Sequence, residues 1–401
     1  MYLEPSGFIG AAMAVQGIRD ATVVLHGQNG CRKGLLASQS LLVRTEERDG
    51  RFYGKEGAIP YSNIRPEDYY RGTLEKLEDV MGHLSSEGYG LRVVMCSPGI
   101  SLVGDDLRKV GSSDSMILDT DDLPEDCPSG FDSCIRGIVE HLTPEQGERI
   151  PNGVNIIGLS IMHKDWASYC HELSHLLKDA GFMIVCVLGA GCSTEDIRAS
   201  ANASYNIVVD PAYAGETSEL YESRFGIPSI SIGECPIGYD ATESLFRRIH
   251  EVTGVLPDHG MGMLRKSKRR AYEGIVASGK TMRGRTFSII SGETTRAPLK
   301  RWLESSFGMV ECDERPDYLF APGNIASLEQ ASGGCRRGVD IGFPSSSGSD
   351  FLKKPLMGLE GCMYILDALF NRRGDRTPPR AASSPGCGPC GCPCPSGSRT
   401  S

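Results

Sequence analysis

Short apolar runs rich in β-branched residues alternate with helix-like segments along most of this sequence, and this alternation is what most limits its fold. Strands that alternate with helices form βαβ units, in which the strands pair in parallel. The first such unit has a strand over Ala21–His26, a loop over residues 27–30 and a helix from Cys31. The next has a strand over residues 91–95 and a helix from about Leu102. We therefore expect an α/β protein with mainly parallel sheets.

The same alternation continues in two further units, which open with strands over residues 154–161 and 286–290. A chain of 401 residues also has the length of two or three domains. We predict three Rossmann-like αβα domains, each built on one parallel sheet and the third of them shortened. Their predicted boundaries are residues 1–150, 151–262 and 263–372, followed by a tail over 373–401.

The tail is rich in Gly, Pro, Ser and Cys and has almost nothing to bury, so we expect it to be disordered. It carries four cysteines within eight residues: Cys387, Cys390, Cys392 and Cys394. Such dense thiols can bind zinc, nickel, copper or an iron–sulfur species. The alternative is an appendage that is merely prone to oxidation.

The charge balance and hydropathy exclude several classes of protein. Forty-two basic residues against 51 acidic ones leave a net charge of −9, which argues against a nucleic-acid partner. No apolar stretch approaches the roughly 18–20 residues of a membrane span, and the first residues do not resemble a signal peptide. We expect a cytoplasmic protein with no membrane partner. In that compartment, 15 cysteines indicate buried thiols or metal ligands rather than disulfides.

Two well-known motifs occur in an unsuitable context. Residues 274–281 match the phosphate-binding pattern G-x-x-x-x-G-K-T, but a helix-like segment precedes them and a strand follows, which inverts the required order. Residues 171–175 match the zinc motif H-E-x-x-H, on a segment whose leucines predict an ordinary amphipathic helix. We favour structural roles for both.

Cys31 and Cys96 are the strongest candidates for metal ligands. Each follows a predicted parallel strand, and the carboxyl ends of parallel strands are where open α/β folds bind their ligands. The start of a helix favours the thiolate, the form that binds iron. Gly30 and Gly99 would let the backbone approach an inorganic sulfide. The alternative is that both cysteines are buried structural thiols.

Several motifs in the same order resemble the nitrogenase component 1 family. Residues 25–31, Leu-His-Gly-Gln-Asn-Gly-Cys, resemble its first cluster-cysteine motif, and Cys96 with Gly-Asp-Asp at 104–106 resembles the second. Residues 128–133 resemble the loop after the third strand. Further similar segments lie at residues 11–17, 154–158, 225–228, 236–238, 342–344 and 358–361.

The resemblance implies a nitrogenase-like oxidoreductase with Cys31 and Cys96 as ligands of an iron–sulfur cluster. In the reductases of this family, low-potential electrons come from a separate ATP-hydrolysing iron–sulfur protein. The third cluster cysteine of nitrogenase subunits is replaced here, where Pro5 or Ser6 stands. A [4Fe-4S] or similar cluster takes four ligands. We therefore expect it to be shared across a dimer, with an identical chain or a homologous component 1-like chain.

Other departures argue against dinitrogen as the substrate. The cysteine that holds the large cofactor of nitrogenase catalytic subunits corresponds to Asp210, and no histidine follows His259 to serve as its second ligand. A different metallocofactor or a tetrapyrrole stays open. Cys235 either faces the central cavity or is a buried structural thiol. The basic run over residues 265–270 is either a solvated helix face or a docking patch for an acidic partner.

Four residues at strand–loop junctions are candidate proton donors, with local hydrogen bonding as the alternative role. They are His26, Asp105, His163 and Asp165. Two other functions remain open beside the oxidoreductase. One is a noncatalytic scaffold or carrier for metallocofactor assembly, which the thiol-rich tail favours, and the other is a ligand-binding protein that has lost the cluster.

Overall fold

The computed structural model describes residues 5–42, 59–97, 99–100, 103–118, 120–121, 123–143, 145–345 and 352–371. The tail cysteines Cys387, Cys390, Cys392 and Cys394 lie outside these residues, as does Leu102, where a helix was expected to begin. Across the described ranges, no helix is both long and apolar enough to span a bilayer.

The described strands form three sheets, and every pairing within them is parallel. The first sheet has the order β1-β2-β3, the second β5-β4-β6-β7 and the third β11-β10-β8-β9. This confirms the predicted α/β class with parallel sheets. The strands are β1 (Ala21–His26), β2 (Leu91–Cys96), β3 (Ser115–Leu118), β4 (Gly153–Ile157), β5 (Met183–Val187), β6 (Tyr205–Val208), β7 (Ser229–Ile230), β8 (Thr286–Ile289), β9 (Val310–Glu311), β10 (Tyr318–Ala321) and β11 (Arg337–Asp340).

Helices connect the strands and cover the sheets. In chain order they are α1 (Gly7–Gln16), α2 (Asn29–Ser40), α3 (Asp68–Arg71), α4 (Leu74–Leu84), α5 (Cys127–Leu142), α6 (Trp166–Asp179), α7 (Thr194–Ala199), α8 (Gly215–Phe225), α9 (Gly238–Thr253), α10 (Asp258–Ser278), α11 (Glu293–Phe307), α12 (Gly323–Ser332) and α13 (Gly358–Phe370). One continuous hydrophobic core contains side chains from all three sheets, among them Val23, Ile156 and Phe287.

Strands β1 and β2 are buried along their whole length, as expected for neighbouring strands with both faces covered. Their register pairs Leu25 with Met95 and His26 with Cys96. The second strand therefore runs one residue beyond its predicted end and finishes on the cysteine itself.

The segment after Cys96 differs from the sequence prediction. Where the structure describes this segment, residues 104–106 are irregular and a short 3-10 turn follows over Leu107–Val110. Gly99 and Gly104 have φ angles of +87° and +76°, which glycine adopts readily and which an α-helix excludes. In the described residues Cys96 thus leads into an irregular segment, and of the two candidate ligands only Cys31 lies at the start of a helix.

A second difference concerns residues 128–133, which were expected to form a loop. They lie in the first half of α5, a helix of 16 residues. The Asp126 carboxylate accepts a hydrogen bond of 2.9 Å from the Ser129 amide, and a proline occupies the first turn. Both features are standard signals for the start of a helix.

Candidate functional site

Cys31 and Cys96 lie at the same edge of the first sheet. Cys96 is the last residue of β2 and is opposite His26, the last residue of β1. Cys31 lies in the first turn of α2, which follows β1 after a short loop. The Cys96 side chain is buried, with 7% of its surface exposed, whereas Cys31 is half-buried.

The backbone around the two cysteines is tightly packed on one side and open on the other. A Cβ atom at Gly27 would lie 2.3 Å from the Ser97 hydroxyl, so the end of β1 can approach the residue after Cys96 only as glycine. A Cβ at Gly30 or Gly99 would meet no atom of the described residues within 4 Å. The site therefore has room beside both predicted backbone contacts, and thiols are suitable ligands for iron.

His26 lies between two hydroxyl groups and is fully buried. Its Nδ1 is 3.0 Å from the Ser62 hydroxyl, and its Nε2 is 2.9 Å from the Thr73 hydroxyl. The Thr73 hydroxyl in turn donates to Asp105 Oδ2 at 2.6 Å, and the Thr73 amide donates to the same oxygen at 2.5 Å. The Gly27 amide donates to the Ser62 hydroxyl at 3.0 Å.

The donor and the acceptor of each hydrogen bond in this series can be assigned from the Asp105 carboxylate at its end. An ionised carboxylate only accepts, so the Thr73 hydroxyl must give its one hydrogen to Asp105. Thr73 therefore accepts from His26 Nε2–H, which leaves Nδ1 of the neutral ring as an acceptor for the Ser62 hydroxyl. We define the His26 chain as Gly27, Ser62, His26, Thr73 and Asp105.

The pKa values agree with these assignments. Burial lowers the pKa of His26 to about 4, with a smaller opposing effect from the Asp105 charge, so the ring is neutral near pH 7. The hydrogen bond from the Thr73 hydroxyl lowers the pKa of Asp105, and burial opposes that change only in part. An imidazole with both nitrogens engaged and a low pKa is a poor proton donor near pH 7.

His163 and Asp210 form a direct imidazole–carboxylate pair at the carboxyl end of the second sheet. His163 Nε2 lies 3.0 Å from Asp210 Oδ2, and the Ser160 amide donates to Nδ1 at 2.9 Å. Burial would raise the pKa of Asp210, but the hydrogen bond and charge of His163, with Thr294 and the Ala212 amide, hold it below its usual value. The Asp210 side chain is 3% exposed and that of His163 is 13% exposed.

Cys235 lies against this pair and is closed off from solvent. Its Sγ is 3.6 Å from the Thr295 hydroxyl, at the start of α11, and only 1% of its surface is exposed. Burial, with the nearby Asp210 charge, raises the pKa of this thiol well above its usual range. The Tyr169 hydroxyl is also buried here and has no hydrogen-bond partner among the residues that the structure describes. We define the junction cluster as His163, Asp210, Cys235, Tyr169 and Thr294.

Asp165, the fourth predicted proton donor, is engaged with the C-terminal part of the chain. Its carboxylate accepts a hydrogen bond of 2.7 Å from the Lys354 amide. Of the four candidates, His26 and Asp105 belong to one chain through Thr73, whereas His163 and Asp165 lie beside the second sheet. The structure thus divides the four residues between two regions.

The two motifs that we interpreted as structural have structural contacts. Glu172 of the H-E-x-x-H sequence accepts hydrogen bonds from the amides of Leu359 and Glu360, at 2.6 and 2.9 Å, and so caps the N-terminus of α13. Residues 274–278 form the end of α10, and Lys280 of the G-x-x-x-x-G-K-T sequence donates to the Phe370 carbonyl. The strand β8 follows, as the sequence predicts.

The sequence analysis also failed to identify residues that are important to the geometry of the site. Thr73 and Ser62 connect the His26 chain, but they lie 47 and 36 positions from His26 and carry no motif. No local pattern could have identified them. Among the described residues, no group of three or more His, Cys, Asp and Glu side chains is arranged to hold a metal ion. At the described edge of the first sheet, the predicted ligands are the thiols of Cys31 and Cys96.

Comparison with known proteins gives a consistent result. One subunit of the light-independent protochlorophyllide reductase from Halorhodospira halophila is 26% identical over 256 residues, which cover 62% of this chain and 44% of that protein. The corresponding protein from Synechococcus sp. is 34% identical over 122 residues, 30% of this chain and 22% of that protein. The nitrogenase vanadium-iron protein beta chain of Trichormus variabilis is 24% identical over 277 residues, 61% and 56% of the two chains.

The matched regions thus span between about a fifth and about half of each relative's length. A solved structure of nitrogenase Cp1 at pH 5 superposes with a TM-score of 0.65 at 15% identity, covering 79% of this chain and 64% of that one, which shows a shared fold. The family of nitrogenase component 1 type oxidoreductases matches residues 6–310. Since that match covers most of the 401 residues, this chain belongs to the nitrogenase component 1 type oxidoreductase family.

Proposed function

We propose that this chain is an electron-transferring component of a nitrogenase-like reductase, in which Cys31 and Cys96 hold an iron–sulfur cluster. The observation that carries the proposal is the location of these two thiols at the ends of adjacent strands, with open space beside Gly30 and Gly99. When bound, such a cluster supplies low-potential one-electron transfer. The chain's own contribution is to hold two ligands and shield Cys96 from water.

A second chain completes the proposed site. A [4Fe-4S] cluster takes four ligands, and Cys31 and Cys96 would supply two of them. Cys31 is half-buried and so remains available to a partner. The partner is either a second copy of this chain or a homologous component 1-like chain. Electrons reach the pair from an ATP-dependent iron–sulfur reductase, as the family resemblance implies.

The substrate is a reducible molecule other than dinitrogen. Asp210 stands where nitrogenase catalytic subunits have a cofactor cysteine, and its carboxylate is already bound to His163 and the Ala212 amide. We assign proton supply to His163, whose ring is oriented by the ionised Asp210 carboxylate. Their side chains are bonded directly to each other and His163 keeps some exposure, whereas His26 is enclosed and neutral and Asp165 holds the Lys354 amide.

Anaerobic purification of the full chain tests the cluster. Iron and sulfide content and the electron paramagnetic resonance spectrum of the reduced protein are measured for wild type, Cys31→Ala, Cys96→Ala and the control Cys235→Ala. We expect both edge variants to lose most of the iron and its signal, and the control to keep them. Wild-type iron content in Cys31→Ala or Cys96→Ala would contradict the proposal.

A scaffold or carrier for metallocofactor assembly is the second candidate function, because four cysteines crowd residues 387–394. The scaffold hypothesis predicts that the purified protein transfers its iron to an acceptor protein, such as a cluster-free ferredoxin. The acceptor is not reduced in this transfer. The reductase predicts instead that the cluster stays bound while the iron–sulfur reductase and ATP reduce it. Deletion of the residues after Pro385 separates the two, since only the carrier should lose iron transfer.

A further inference from the structure

Two segments from different parts of the chain cover the Cys96 side chain, and we call them its two walls. Its side chain packs with Ile64 and Ile100, and Tyr69 and Leu107 lie against the same small hydrophobic cluster. Ile64 lies in the segment between α2 and α3, whereas Ile100 and Leu107 lie in the segment between β2 and β3. The exposure of the Cys96 thiol therefore depends on how these two segments are held.

The His26 chain is attached to both walls. On one side, the Ile64 amide donates to the Gly27 carbonyl at 2.9 Å, and Ser62 binds both His26 and the Gly27 amide. On the other side, Asp105 belongs to the loop that leads into Leu107, and the Leu107 amide donates to the Asp105 carbonyl at 3.1 Å.

Thr73 is the group that joins the two sides. It is fully buried, and its single hydroxyl accepts from His26 and donates to Asp105. Valine has nearly the same shape but neither donates nor accepts, so Thr73→Val would leave the buried His26 Nε2–H without an acceptor. A buried donor without a partner is costly, and opening of the adjacent segments would expose it to water.

We propose that Thr73 is a positioning residue for Cys96: by orienting His26 and Asp105 together, its hydroxyl keeps both walls of the thiol closed. The inference rests on the proposed function in one respect: it takes Cys96 to be a ligand of the cluster. It names a residue that neither the motifs nor the cluster cysteines identify. Serine at position 73 keeps the hydroxyl and should preserve the effect.

Site-resolved alkylation tests the proposal without any cluster. The full chain, freed of iron by a chelator, is treated with iodoacetamide, and the modification rate of each cysteine is followed by mass spectrometry. We expect Thr73→Val to raise the rate at Cys96 about tenfold, the factor for an opening that loses one net hydrogen bond. Thr73→Ser should stay within about twofold of wild type.

Cys235 and Cys362 are internal controls, because both are buried far along the chain from this edge. An equal rise at all three cysteines would mean general destabilisation and would overturn the proposal. So would a Cys96 rate that Thr73→Val leaves unchanged, or one that Thr73→Ser raises equally.

The anaerobically purified protein provides the second measurement. Thr73→Val should alter the resonance spectrum of the reduced cluster, while Thr73→Ser retains it. If Cys31→Ala and Cys96→Ala keep their iron, the proposed function fails while the alkylation result still decides the role of Thr73. If those variants lose iron but Thr73→Val keeps the wild-type alkylation rate and spectrum, only the positioning role fails.

Discussion

The His26 chain and the junction cluster both bring an imidazole and a carboxylate to the carboxyl end of a parallel sheet, but they do so differently. In the first, Thr73 stands between His26 and Asp105, and the ring is fully buried. In the second, His163 and Asp210 touch directly at 3.0 Å. In the first region a hydroxyl links the ring to the carboxylate, whereas in the second the imidazole donates to the carboxylate itself.

The burial of the thiols differs between the two regions in the opposite direction to the burial of the histidines. Cys31 at the first sheet is half-buried beside open space, whereas Cys235 at the junction is almost completely buried and its pKa is raised. Iron binds thiolates, and burial with a neighbouring carboxylate opposes thiolate formation. The first region is therefore suited to ligand chemistry, whereas in the second an ionised Asp210 orients the His163 ring.

Replacing the two acids should separate the regions most strongly. We expect Asp210→Ala to lower the free energy of unfolding by about 3–5 kcal/mol, because it leaves His163 and the Ala212 amide without their buried acceptor. Asp105→Ala should cost about 1–2 kcal/mol, since Asp105 is partly exposed and water can replace it. Urea unfolding at pH 7 measures both. Equal losses would mean that the two pairs do not differ in kind.

Glu172, which lies beside the junction cluster, should make the free energy of unfolding depend on pH. Burial raises its pKa to about 7, although the amides of Glu360 and Leu359 and the charge of Lys353 lower it, while the charge of Glu360 raises it. A carboxyl whose folded pKa exceeds its unfolded value stabilises the protein fully below the unfolded pKa, about 4.5, and loses that contribution as the pH rises through about 7.

The measurement is the difference in unfolding free energy between wild type and Glu172→Gln from pH 4.5 to 8. We expect wild type to lose roughly 2–3 kcal/mol relative to the variant over this range. Glu273→Gln, on an exposed face of α10, is the matched control and should leave the wild-type slope intact. A flat difference for Glu172→Gln would show that this carboxylate is solvated.

The smallest effect should distinguish the packed and open sides of the cysteine edge. Gly27→Ala should lower stability by about 1–3 kcal/mol, because its Cβ would overlap the Ser97 hydroxyl. Gly30→Ala meets open space and lies within α2, so its effect should be within about 1 kcal/mol and of stabilising sign. Thermal unfolding of the two variants measures the contrast. A comparable loss in Gly30→Ala would indicate that this side is also packed.

Much of the fold could be predicted from the sequence because its signals are local. The strand over Ala21–His26 has its predicted bounds, and the other strands predicted above differ by a few residues. Buried parallel strands are continuous apolar runs, which a sequence displays directly. The helix expected from about Leu102 was wrong in the described residues, because Gly104 with its positive φ interrupts it.

The candidate site was predictable only in part. Cys31 and Cys96 were identified because each follows a strand, and the parallel register of β1 and β2 brings the ends of those strands together. His26 and Asp105 were named as separate proton donors, whereas the structure connects them through Thr73. Asp210 was identified only from the family resemblance, and its contact with His163 was not predicted.

The amino-acid sequence alone determined the α/β class, the positions of most strands and the two cysteines at a common edge. It could do so because hydrophobic periodicity and the end of a strand are properties of neighbouring residues. Tertiary structure alone decided which polar groups meet. The bonds from Thr73 to His26 and Asp105 span 47 and 32 positions. A hydrogen bond acts over about 3 Å of space and leaves no trace in the intervening sequence, so only the folded chain reveals it.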